Sequence, residues 1–166
     1  IPRQGFVCRA VAATACIGFA CGPALADCPP TVTLGAYQLV ATYALPAATL
    51  SEASGVAWDW DTDTLFVMPD TGVAVVEVTK SGVVKSMMPM TGFQDTEGIC
   101  YLGHGQFAVI EERLGRAYRF TYVAGATLNR SALPFIQVGP DTGTNSGSEG
   151  ASWDPRDGSW VSIKEK

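Results

Sequence analysis

Ser54-Gly55-Val56-Ala57-Trp58-Asp59, Glu97-Gly98-Ile99-Cys100-Tyr101-Leu102 and Glu149-Gly150-Ala151-Ser152-Trp153-Asp154 align as three copies of one pattern. Their glycines fall at 55, 98 and 150, so the spacings are 43 and 52 residues. A period of roughly 40–50 residues belongs to four-stranded propeller blades. After each copy come a turn and a second apolar run. The turns are Asp61-Thr62-Asp63, Gly103-His104-Gly105 and Pro155-Arg156-Asp157-Gly158, and the runs occupy 65–68, 107–110 and 160–163. Third runs follow at 73–78 and 117–123, and fourth runs at 83–88 and 132–138. Short strands broken by Gly, Asp and Pro turns are the signature of antiparallel sheets.

The pattern predicts an all-β fold, a β-propeller of four-stranded antiparallel blades. About two and a half blades lie in this chain, starting near 54, 97 and 149. Nothing after the first 26 residues carries a helical period. Residues 37–45 read as one more strand, which in a propeller would complete the last blade and close the ring. The chain opens on Ile1 and stops at Lys166 within a strand-like pattern, so the expectation is the N-terminal part of a longer protein.

Residues 1–26 have the layout of a secretory signal peptide. Arg3 and Arg9 form the basic start, residues 11–25 are apolar and uncharged, and Ala24-Leu25-Ala26 offers small residues at the cleavage site. Cleavage there would leave 27–166 as the partial propeller domain. The alternative is a membrane anchor, but the run is shorter than the roughly 20 residues that span a bilayer and contains Gly18, Gly22 and Pro23. Membrane association is thus expected only through an uncleaved N-terminal segment, and the expected location is the periplasm or cell envelope.

Hydrophobic residues make up 47% of the 166 and charged ones 16%, which is globular rather than disordered material. Removing Arg3 and Arg9 from the 11 basic residues leaves 9 against 16 acidic ones, a formal charge of −7. That balance, without a basic cluster, argues against nucleic acid as a partner. Export permits a Cys28–Cys100 disulfide, but Cys100 lies in an apolar run, where a buried free thiol is the commoner state.

Aligned repeats expose two acidic columns. Ser54, Glu97 and Glu149 precede the repeated glycines, and Asp70, Glu112 and Glu165 end the second runs. Inner strands line a propeller's channel, so the first column would converge near its axis. Two readings fit. The carboxylates of Glu97, Glu149 and Glu112 could hold a hard cation such as Ca²⁺, which takes about six to eight oxygen ligands. Alternatively they anchor turns and pair with Arg113 and Lys166. Arg113 likewise reads either as a ligand-binding cation or as one half of a structural ion pair.

At these residues the sequence resembles the SdiA-regulated family, also called YjiK- or CarP-like, over about 37–166. The most specific motifs are Asp95-Thr96-Glu97-Gly98-Ile99, Ala108-Val109-Ile110-Glu111-Glu112-Arg113, Glu149-Gly150-Ala151-Ser152-Trp153-Asp154 and Lys164-Glu165-Lys166. The resemblance implies an exported or envelope-associated propeller with links to calcium and to hydrolase relatives. It implies no particular reaction.

Other motifs read as structure. Asp59-Trp60-Asp61-Thr62-Asp63 imitates the start of an EF-hand loop, but Thr64 stands where that loop needs Gly and the flanks are strands, so it reads as a hairpin turn. His104, between two glycines, reads as an exposed turn residue. Trp58, Trp153 and Trp160 read as core between blades. The sequence has no Gly-x-Ser-x-Gly elbow, and Ser148 has no evident base partner. The leading expectation is a Ca²⁺-binding or calcium-responsive module whose partner is a small molecule or an envelope protein. The rivals are a metal-dependent hydrolase of phosphoesters or lactones and a metal-free protein-interaction scaffold.

Overall fold

The computed structural model describes residues 34–144 and 147–164. The proposed signal segment, Cys28, Glu165 and Lys166 lie outside them. The chain divides into two compact units, Ile1–Thr42 and Tyr43–Lys166. In the first, the described residues form only a short 3₁₀ turn, Leu34–Ala36. No helix among the described residues is long and apolar enough to cross a membrane.

All the strands belong to the second unit. Strands β1 (Ala53–Asp59), β2 (Thr64–Pro69), β3 (Ala74–Val78) and β4 (Val84–Thr91) form the first sheet. The second contains β5 (Thr96–Gly103), β6 (Gln106–Glu111), β7 (Arg116–Thr121) and β9 (Phe135–Gln137). A short β8 (Leu128–Asn129) leaves the second sheet's chain and pairs in parallel with the outer edge of β4. The hairpin β10 (Ser148–Asp154) and β11 (Ser159–Lys164) stands as a third sheet. Every other pairing is antiparallel. The strand order follows the chain because successive strands are joined by short hairpins, except where the excursion through β8 links β7 to β9.

Turn chemistry explains the hairpins. Asp59 Oδ1 accepts the backbone N–H groups of Asp61 and Thr62 at 2.8 and 3.2 Å, and Asp63 adopts φ 59°. Asp154 repeats this by accepting from Arg156 N at 2.9 Å. The Asp-rich loop is therefore a side-chain-capped turn, as Asn and Asp readily make. His104 sits at φ 54° in the corresponding turn of the second sheet, with its N–H on Asp61 Oδ2 at 3.0 Å.

The main core fills the space between the first two sheets. Phe107 is fully buried, with ring centroids 4.4 Å from Phe66, 4.9 Å from Tyr101 and 5.8 Å from Phe120. Ala57, Met68, Val75, Met88, Ile99 and Val109 close around them. Alternation along β1 turns Ala57 inward and leaves Val56 and Trp58 outside, whereas β6 is buried on both faces, in keeping with its unbroken apolar run at 107–110.

Two expectations need correction. Residues 37–45 form no strand. Residues 43–50 instead fold over the outer face of the first sheet, where Leu45 and Leu50 pack with Val67, Ala74, Val76 and Val78. Pro46 starts a turn there, its carbonyl accepting from Thr49 N and Leu50 N. Trp58 is 52% exposed, its Nε1 on Asp63 Oδ1 at 3.1 Å, and is not core between sheets. Trp60, two residues on, makes the inter-sheet contact through Tyr101 at 4.5 Å. Trp153 and Trp160 line a crevice of about 580 Å³ against Ala108, Ala117 and Arg119 of the second sheet.

Candidate functional site

The three inner hairpins share one irregularity. Ala53 pairs with Pro69 but Gly55 with Met68, Thr96 with Glu111 but Gly98 with Ile110, and Ser148 with Lys164 but Gly150 with Ile163. Ser54, Glu97 and Glu149 are thus the extra residues of three equivalent β-bulges. A bulge leaves one residue out of the ladder and re-aims its side chain. The glycines after the first two bulges have a separate purpose. A Cβ on Gly55 would lie 3.1 Å from Ile99 N, and one on Gly98 the same distance from Ala151 N. Glycine therefore lets β1, β5 and β10 approach side by side.

Around the middle bulge, carboxylates gather. Ligand oxygens of Asp95, Glu97 and Glu112 all lie within 4.8 Å of one another. The backbone arranges this, because Glu112 N donates to Asp95 O at 2.9 Å where β6 ends beside the start of β5. Asp95 adopts φ 56°, a conformation Asp tolerates better than most residues. Glu112 is wholly buried, and its Oε1 accepts the Gly147 N–H at 2.6 Å. Its carboxyl also hydrogen-bonds to Asp95.

Electrostatics at this point are strained. Burial, then the charges of Glu149, Asp95, Glu112 and Asp70, push Glu97 up from 4.5 to about 7. Burial also raises Glu112, against the opposing Gly147 bond, and Asp95 and Glu149 add to the rise. Such shifts mark carboxylates whose negative charge is short of compensation. Arg113 supplies part of it, with Nε 2.7 Å from Asp95 Oδ2. Asp70 directly follows β2, and its Oδ1 is buried without a hydrogen-bond partner among the described residues. Asp70, Thr71, Gln94, Asp95 and Arg113 line one open cleft of about 450 Å³.

Of the residues singled out from the sequence, Glu97 and Glu112 come together here. Glu149 is exposed; its charge reaches both, but it stands outside the 4.8 Å group. Arg113 is in an ion pair. Asp95 stands outside both acidic columns of the repeat, and the Asp-x-Glu spacing running into β5 is the sequence signal that marks it. Cys100 is a free, buried thiol donating to Ala151 O at 3.2 Å, and burial pushes it up to about 11.

Antiparallel sheets with side-by-side inner strands and a bulge at the head of each define a propeller-type β module. A solved structure titled "Streptogramin B lyase structure", itself propeller-like, superimposes with a TM-score of 0.51 over 74% of this chain, at 15% identity. This chain spans 37% of that one's length. The chain belongs to the SdiA-regulated family, whose model matches residues 31–166.

Proposed function

We propose that this propeller module binds a divalent cation, Ca²⁺ foremost, through Asp95, Glu97 and Glu112, with Glu149 completing the negative field. The observation that carries the reading is the convergence of three carboxylates within 4.8 Å on one bulge and its neighbouring strand end. An all-carboxylate donor set suits a hard cation, and Ca²⁺ tolerates irregular geometry completed by waters and carbonyls. The upward shifts of Glu97 and Glu112 support it, since a cation would offset both the burial and the carboxylate repulsion that cause them. The module would act as a binding or sensing unit toward a small molecule or an envelope protein. The signal-like residues 1–26 favour the periplasm or envelope as the place where it meets calcium.

Calcium titration with thermal melts tests this. A ligand that binds only the native state at about 100 times its Kd stabilises by roughly 2.7 kcal/mol. Melting temperature should rise with Ca²⁺ and return on chelation, and the rise should vanish in Glu97→Gln/Glu112→Gln. A melt indifferent to Ca²⁺ would leave the acidic group a purely structural feature.

A further inference from the structure

We infer that Arg113 is a displaceable counter-ion, which leaves Asp95 when a cation enters and is received by Asp70 in the same cleft. The inference rests on the reading that Asp95 takes part in binding the cation. Four observations on this structure lead to it. Arg113 Nε stands 2.7 Å from Asp95 Oδ2, with the Arg113 side chain 45% exposed and that of Asp95 12% exposed. The guanidinium is therefore the partner with room to move. Its backbone is fixed, because Arg113 O accepts from Thr142 N at 3.1 Å and Gly143 N at 3.0 Å, so motion is confined to the side chain. Asp70 and Asp95 line the same cleft as Arg113. Finally, Asp70 Oδ1 is a buried carboxylate oxygen lacking a partner among the described residues.

The backbone of Asp70 is held in place beside the cleft. Its N–H is held by Glu52 O at 2.9 Å, and its carbonyl accepts from Thr96 N at 2.8 Å. A buried acceptor left unmade is costly, so a donor that can reach it is drawn there. A cation on Asp95 would stand a few ångströms from the guanidinium, and like charges that close repel strongly at the edge of a protein. Departure to Asp70 relieves the repulsion and satisfies the orphan oxygen in one side-chain rotation. Arg113 then sets the calcium threshold: it competes for Asp95 at low calcium and is parked on Asp70 at high calcium.

Isothermal titration of the full chain with CaCl₂ tests the device in four forms: unaltered, Arg113→Met, Asp70→Asn and the two combined. Removing the competitor should tighten Ca²⁺ binding, roughly threefold to tenfold, the range of one partly exposed charge-assisted pair. Asp70→Asn should weaken binding by a similar factor when Arg113 is present and clearly less when Arg113 is replaced, where only the loss of the Asp70 charge felt at Glu97 remains. If Asp70→Asn weakens binding equally in both backgrounds, Asp70 is a ligand and the inference fails. Unchanged or weaker binding by Arg113→Met also overturns it. Absence of binding heat in all four forms would instead remove the cation site itself. Melts in chelator report whether each variant is folded, and Arg113→Gln replaces Arg113→Met if the latter is not.

Discussion

The Gly147 N–H donates to Glu112 Oε1 at 2.6 Å, which fastens the loop entering the third sheet to the carboxyl that closes β6. A Cβ on Gly147 would lie 2.5 Å from Glu112 O, so the contact also depends on a residue without a side chain. On the proposed reading, the same carboxyl would both hold a loop and face a cation.

Those two duties separate by substitution. Glu112→Gln keeps an oxygen for Gly147 and mimics the protonated form that burial favours, so chelated protein should melt within a few degrees of the original. Calcium stabilisation should nevertheless drop sharply. Glu112→Ala leaves the Gly147 donor unmet and should cost about 1–3 kcal/mol even without calcium. Parallel melts with Ca²⁺ and with chelator measure both effects.

The pH dependence has a definite sign. Folding raises Glu97 from 4.5 to about 7, so the folded chain binds more protons than the unfolded one between those values. In chelator, the Glu97 contribution is fully present below about 4.5 and is lost as pH rises through about 7. Stability should therefore fall across that window, and Glu97→Gln should flatten the fall. Saturating calcium should oppose it, because the cation binds the ionised form. Melting temperature from pH 4.5 to 8 in the two variants decides the matter.

Packing predicts a contrast between two aromatic residues. Phe107→Ala empties a fully buried site among Phe66, Tyr101 and Phe120 and should cost about 3–5 kcal/mol. Trp58→Ala, at a position 52% exposed, should cost under about 1 kcal/mol. Urea denaturation of both checks the order, and an equal loss would place Trp58 in the core after all.

The repeat was legible because a glycine recurs where inner strands touch, and that contact constrains the residue type at Gly55 and Gly98. Strands β2 and β6 were legible as unbroken apolar runs because both of their faces are buried. The bulges were not, because an extra residue is a property of pairing between two strands and leaves no mark on one. Residues 37–45 carry strand-like apolar residues, yet apolar content does not say whether a chain segment pairs or merely covers. Trp58 and Trp60 illustrate the same limit: period alone could not tell which of two close tryptophans turned inward. Asp95 became a candidate only when the end of β6 was seen beside it.

The excursion between β7 and β9 does more than connect them. Leu128 pairs with Met90 and Asn129 with Thr91, Gly125 N reaches Met87 O at 2.8 Å, and Ser86 Oγ meets Tyr122 Oη at 2.9 Å. Farther along, Arg130 Nη1 holds the buried Glu111 at 2.7 Å. Backbone groups along the rim of β4 that would otherwise face solvent, or recruit a stray strand, are already met by polypeptide from the neighbouring sheet. Deuterium uptake at Thr91, which pairs with Asn129, should therefore track the opening of the excursion, whereas uptake at Met90, whose N–H donates to Val73 O at 2.8 Å, should track the first sheet itself.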